Sequence, residues 1–168
     1  LRTALVEAEG EAEGHRLHQL YAAGIPAGYQ ETVPPRLAVP DLLHIDALAR
    51  GAGPLALSLY RPMAPGSELL RFKLYRADRK IPLATVLPIL DNMGLTTVDE
   101  QPHGFKAVHG RAFWLHDFGM QVTAGTAVGI EQIRDRFQHA FAQIWSGEVE
   151  NDGFNRLVLL AGLDVRQV

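Results

Sequence analysis

The feature that most constrains this chain is a change of hydrophobic period that recurs in a fixed order. In LALSLYRP, residues 55–62, Leu55, Leu57 and Leu59 alternate with Ala56, Ser58 and Tyr60. In LLRFKLYRAD, residues 69–78, Leu70, Phe72 and Leu74 alternate with Arg71, Lys73 and Tyr75. A period of two gives a strand with one buried face, and the intervening MAPGSE has the Pro and Gly of a short turn, so the pair reads as an antiparallel hairpin. IPLATVLPILDNMG, residues 81–94, switches to helical spacing. Pro82 sits in its first turn, Leu83, Val86, Leu87, Leu90 and Met93 are apolar, and Gly94 is placed for a left-handed C-cap. Pro88 removes one backbone hydrogen bond and predicts a kink or a shortened helix.

Two more strands follow, LTTVDEQP and RAFWLHDFGMQV, separated by a loop around Gly104 to Gly110. From Gly129 the period is helical again, with Ile130, Ile133, Phe137, Phe141 and Ile144 on one face and Glu131, Arg134, Asp135 and Gln138 on the other. Asn151 and Asp152 are placed to cap a last helix, FNRLVLLAGL. Strand, strand, helix, strand, strand, helix is a ferredoxin-like order with its last strand moved to the front, which turns a neighbour contact into a hairpin. The expected class is α+β: a permuted ββαββα two-layer sandwich with flanking helices, its two helices, near 81–93 and 130–146, packed on one face.

Ahead of this core, residues 4–23 predict one helix, with Leu17, Leu20 and Tyr21 on a shared face, ended by Gly24 and Pro26. Residues 27–40, with Pro34, Pro35 and Pro40, predict irregular chain, and a short helix is expected at about 40–50, started by Pro40 and Asp41. The organisation expected is a helical linker region at 1–50, the sheet portion at 51–128, its second packing helix at 129–147 and a helical connector at 148–168. The chain opens on Leu1 rather than Met and closes on AGLDVRQV, which reads as a piece of a longer protein.

Composition bounds the function. A net charge of −3 provides no broad positive field for nucleic acid, and the absence of cysteine excludes disulfides and thiolate chemistry. No apolar run approaches a membrane span, so a soluble, cytoplasmic protein is expected. No GxGxxG or GxxxxGK occurs, and the turn ADRKIP has charge but no Gly, so no dinucleotide site is expected within these residues. His15 and His18 lack a third ligand, so no metal is expected. His116 and Asp117 are adjacent on a strand and point to opposite faces, which removes them as an acid–base pair. No catalytic residue is expected. Arg76, Asp78, Arg79 and Lys80, leading into the helix at Ile81, are the candidate ligand loop, because their cations could meet a carboxylate.

RFKLYRADRKIPLATVLPILDNMGLTTVDEQP, residues 71–102, resembles the strand–loop–helix–strand core of ACT domains, which bind small amino-acid effectors at this loop. Ile81–Pro82 stands where those domains place a Gly, and a backbone there approaches a ligand less closely. SLYRP, LPILDNMGLTTVDEQP, WLHDFGMQV and WSGEVENDGFNRLVLLAGLDVRQV, in this order, resemble the large bacterial NAD-specific glutamate dehydrogenases in the stretch ahead of their catalytic domain. The resemblance implies a regulatory or scaffolding ACT-like segment, itself not an enzyme, of a parent that uses NAD to convert L-glutamate to 2-oxoglutarate and ammonia. The implied partners are the rest of the parent chain, further copies in a homo-oligomer, and an amino-acid effector. Asn155 and Arg156 are the residues expected to face the catalytic domain.

Overall fold

The element order follows from where proline, glycine and the apolar faces fall. In the computed structural model, residues 1–63, 69–122 and 129–160 are described. Most of the turn MAPGSE and the end of FNRLVLLAGL lie outside them. The elements are α1 (Arg2–Glu9), α2 (Glu11–Tyr21), α3 (Ala27–Thr32), α4 (Pro35–Ala49), β1 (Ala56–Tyr60), β2 (Leu70–Ala77), α5 (Leu83–Asn92), β3 (Leu95–Lys106), β4 (Ala112–Val122), α6 (Ile130–Ser146) and α7 (Leu157–Leu160). The class is α+β, and the four strands form one antiparallel sheet in the order β1-β2-β4-β3. This is the order the permutation requires: β1 lies beside β2, and β4 lies between β2 and β3, which α5 connects.

Three local expectations are corrected. The single helix at 4–23 is two helices, broken at Gly10, whose φ of 85° is a conformation L side chains rarely adopt. Residues 27–40 are not irregular: α3 occupies Ala27–Thr32, and α4 begins at Pro35 rather than near residue 40. Pro26 and Pro34 are extended and sit just ahead of these helices, and Pro35 takes the first helical position, where its missing N–H costs nothing. The loop expected from Gly104 is shorter, because β3 runs to Lys106 and the turn closes with Ala107 N–H donating to the Arg111 carbonyl at 2.9 Å. Gly104 stays in the strand, where a Cβ would come within 3.0 Å of the Trp114 ring.

Pro40 and Pro88 both lie inside helices on exposed positions. The carbonyls they leave without an N–H partner, on Arg36 and Ala84, belong to exposed residues that water can reach.

The described residues gather into two compact units, one of Leu1–Ala56, Leu74–Lys80 and Pro102–His116, the other of Leu57–Lys73, Ile81–Gln101 and Asp117–Val168. In the first unit, Leu5, Leu17, Tyr21, Leu42, Ile45, Tyr75, Phe113 and Leu115 are buried together, and Tyr21 meets Phe113 edge-on at 6.2 Å. Tyr75 belongs to the β2 set opposite Leu74, yet it too is buried, with His44 of α4 4.7 Å from its ring. In the second unit, Phe72 meets Phe137 and Phe141 edge-on at 5.1 and 5.0 Å, and Val86 and Leu90 of α5 are fully buried. Burial of such a side chain contributes about 1.5–3 kcal/mol. Helix α6 stops at Gly147, which takes the left-handed conformation.

Candidate functional site

Beyond β2 the chain turns sharply. Asp78 has a φ of 69°, the only positive value at a non-glycine among the described residues, and its N–H donates to the Ala112 carbonyl at 2.9 Å. Its carboxylate accepts two hydrogen bonds from Arg111, from Nε and from Nη2, each at 3.1 Å. The Arg111 hydrogen bond holds the Asp78 carboxyl below the usual carboxylate range, and the same bond raises Arg111. Arg76 donates to the Lys80 carbonyl at 3.2 Å, the Lys80 ammonium sits 4.6 Å above the Trp114 ring, and Arg79 is exposed. The four candidate loop residues are therefore together at the surface, with Asp78 holding a cation of its own. Arg111 was not singled out in the sequence. It lies at a hairpin turn 33 residues from Asp78, and no spacing links them.

Asn155 and Arg156 fall in a 3₁₀ turn, Gly153–Arg156, started by Asp152, whose side chain accepts from Phe154 N–H at 2.8 Å. Asn155 is 2% exposed and donates to the Glu150 carbonyl at 2.9 Å, so its amide is engaged within its own segment. Arg156 is exposed, with Nε donating to the Gly153 carbonyl at 2.7 Å.

Three polar clusters carried no sequence signal. Asp46 of α4 is 6% exposed and accepts from Arg16 at 2.6 and 3.1 Å and from Tyr21 at 2.8 Å, while Arg50 approaches at 2.9 Å. Burial pushes the Asp46 carboxyl up, but the Arg16 and Tyr21 hydrogen bonds and the two guanidinium charges outweigh it, and it lies below its ordinary value. Burial, and then the bond to Asp46, push the Tyr21 phenol up. Asp41, 1% exposed on the same helix, accepts from the hydroxyls of Tyr29 and Tyr75. In the second unit Arg71 spans two strands, with Nε on Asp117 at 3.0 Å and Nη1 on Asp99 at 2.9 Å. Gly119 makes room for this pair, since a Cβ there would stand 2.5 Å from Asp99 Oδ2.

These groups bind one another across elements, which is chemistry that fixes positions. No group of three or more potential metal ligands occurs among the described residues, and His15 bonds to Arg2 at 2.9 Å. The β2–α5 turn offers neither a glycine nor a free N–H at Pro82, the residue that starts the helix, and so does not fit a dinucleotide pyrophosphate. A cavity of about 250 Å³ in the first unit is lined mainly by Ile25, Tyr29, Val33 and Ala38, with His18 and Gln30.

Comparison with known proteins gives two family matches. Residues 54–133 match the family described as glutamate dehydrogenase, ACT3 domain, and residues 4–48 match glutamate dehydrogenase, helical motif 2. The chain is 44% identical over 164 residues to an NAD-specific glutamate dehydrogenase of Pseudomonas aeruginosa, covering 98% of the chain and 10% of that protein. It is 39% identical over 168 residues to one of Halomonas elongata, covering 100% and 10% respectively. With one of Mycobacterium tuberculosis the identity is 29% over 153 residues, covering 88% and 9%. The chain thus spans about a tenth of the length of these relatives.

Proposed function

Because this chain belongs to the glutamate dehydrogenase family, of which it carries the ACT3 domain and helical motif 2, we propose that it is a non-catalytic scaffolding segment of an NAD-specific glutamate dehydrogenase. In this reading the parent converts L-glutamate and NAD to 2-oxoglutarate, ammonia and NADH with residues outside this chain. The segment holds domains or subunits of a cytoplasmic homo-oligomer in place. No helix among the described residues is long and apolar enough to cross a membrane. The observation that carries the reading is the use of the charged side chains: Asp46, Asp78 and Arg71 each bind partners on other elements, and none converges with a nucleophile or base on a reacting centre. Exposed apolar residues, among them Leu37 at 62% and Phe154 at 65%, offer contact area to other parts of the parent.

Two measurements test this. The isolated chain, assayed for glutamate-dependent NADH formation, is expected to give no turnover, and measurable turnover overturns the non-catalytic reading. In the full-length parent, Phe154→Asp is expected to weaken assembly, read by light scattering. An unchanged assembly removes Phe154 from the proposed interface.

The second reading is an amino-acid sensor, favoured by the exposed Arg79 and Lys80 on one loop, with the half-buried Arg76 at the end of β2 beside them. Its test is a thermal-shift screen with amino acids. Stabilisation by a ligand that survives Arg76→Ala and Arg79→Ala together places the site elsewhere.

A further inference from the structure

We infer that Asp78, Arg111 and the Ala49 carbonyl form a latch through which the β2–α5 loop fixes the C-terminal end of α4, with Asp78 as a positioning residue acting through Arg111. Arg111 is shared between two elements. Its Nε and Nη2 face Asp78, and its Nη1 donates to the carbonyl of Ala49, the last residue of α4, at 3.2 Å. The last carbonyls of a helix have no intrahelical partner, so a side-chain donor there replaces water and favours the closed last turn. The guanidinium is a planar, rigid fork, so two bonds to one carboxylate fix the direction of the remaining N–H groups. Asp78 therefore decides where Nη1 points although its own two bonds are to Arg111. The ring of Phe113 lies 5.4 Å from the guanidinium and supports it from the side.

Two further observations suit a device that can open. The pair is half-exposed, with side-chain exposures of 36% for Arg111 and 58% for Asp78, so salt and competing anions reach it. Asp78 is also held at positive φ, a sparsely populated conformation tied down by its N–H bond to the Ala112 carbonyl. Loss of the carboxylate–guanidinium pair frees Nη1 from its aim, and the last turn of α4 frays. The latch thus joins the candidate ligand loop to the last residue of α4, the helix that closes the helical motif matched at residues 4–48.

Hydrogen–deuterium exchange on the full chain tests this, with the amides of Arg50, Gly51 and Ala52 as reporters; they bond to the carbonyls of Asp46, Leu48 and Ala47 at 3.0 Å each. Asp78→Asn keeps the tolerance for positive φ and removes the charge, so it separates the latch from the turn conformation. Asp78→Asn and Arg111→Gln are each expected to speed exchange at these amides by about two- to fivefold, the range an exposed ion pair supports. Lys106→Gln, which removes an exposed charge from the neighbouring β3–β4 hairpin, is expected to leave them unchanged. Raising ionic strength should speed exchange in the unaltered chain but not in Asp78→Asn. A response to Arg111→Gln without one to Asp78→Asn refutes the positioning role and leaves Arg111 a simple cap. An equal response to Lys106→Gln refutes the latch in favour of a general charge effect.

Discussion

Replacing Gly14 by Ala sets two effects of known size against each other. Gly14 lies inside α2, where Ala is the better helix former by about 1 kcal/mol. Propensity alone therefore predicts a more stable chain. The structure predicts the reverse, because a Cβ at Gly14 would stand 2.6 Å from the Val6 nitrogen, 2.7 Å from its Cα and 2.8 Å from the Leu5 carbonyl carbon. All three are backbone atoms of α1, so no side chain can swing aside, and the two helices must separate. Overpacking of this kind typically costs about 1–3 kcal/mol, and the upper end applies where backbone has to move. Leu5, fully buried beside the contact, would then lose part of its packing, since a gap of about 0.5–1 Å forfeits a quarter to a half of the dispersion well. The net expectation is destabilisation by about 2 kcal/mol, or a fall of about 4–8 °C in Tm for a chain of this size. Gly28→Ala is the control: it lies in α3 with nothing within 4 Å of its Cβ position, and is expected to stabilise by about 0.5–1 kcal/mol. Urea unfolding of both variants, with the slope m checked for constancy, makes the comparison. A Gly14→Ala chain as stable as the parent sequence refutes the close crossing of α1 and α2.

Asp46 predicts an acid dependence with a definite sign. Its carboxyl is held below its ordinary value in the folded chain, so its contribution is present above the unfolded-state pKa, about 3.9, and is lost as pH falls through the lower folded value. Asp46→Asn is therefore expected to lower the urea midpoint at pH 7, and the difference from the parent should shrink as the pH falls below about 4; a constant difference removes Asp46 as its source. Arg71→Leu leaves Asp99 and Asp117 without their shared guanidinium, and an expected cost of about 1.5–3 kcal/mol at neutral pH follows from the loss of charged hydrogen bonds. Urea unfolding measures it, and a midpoint unchanged from the parent sequence removes this pairing as a source of stability.

The sheet and its two helices were legible because their residues repeat at the period of the element they form. Helix α6 was read at its observed limits from Ile130, Ile133, Phe137, Phe141 and Ile144, and the strand order follows from the permutation alone. The N-terminal third is less legible, because one glycine, Gly10, divides a continuous run of helix formers, and because proline breaks a helix interior yet also starts helices. Pro26, Pro34 and Pro35 stand where helices begin, and Pro40 and Pro88 face water, where a lost bond costs little. The candidate loop was legible as a run of charge, but its pairing was not. Asp78 meets an arginine 33 residues away, and long-range ion pairs leave no periodic trace.

What the sequence by itself determined is the set of elements, since hydrophobic period, caps and turns are local properties, and the glutamate dehydrogenase parentage, since ordered phrases survive in a linear string. Tertiary structure alone decided which charges meet. Asp46 collects Arg16, Tyr21 and Arg50, Arg71 joins Asp117 and Asp99, and Arg111 turns from the β3–β4 hairpin to Asp78 and the end of α4. A carboxylate finds its cation through space, after the apolar faces have packed, and only the folded backbone fixes which ones come within reach.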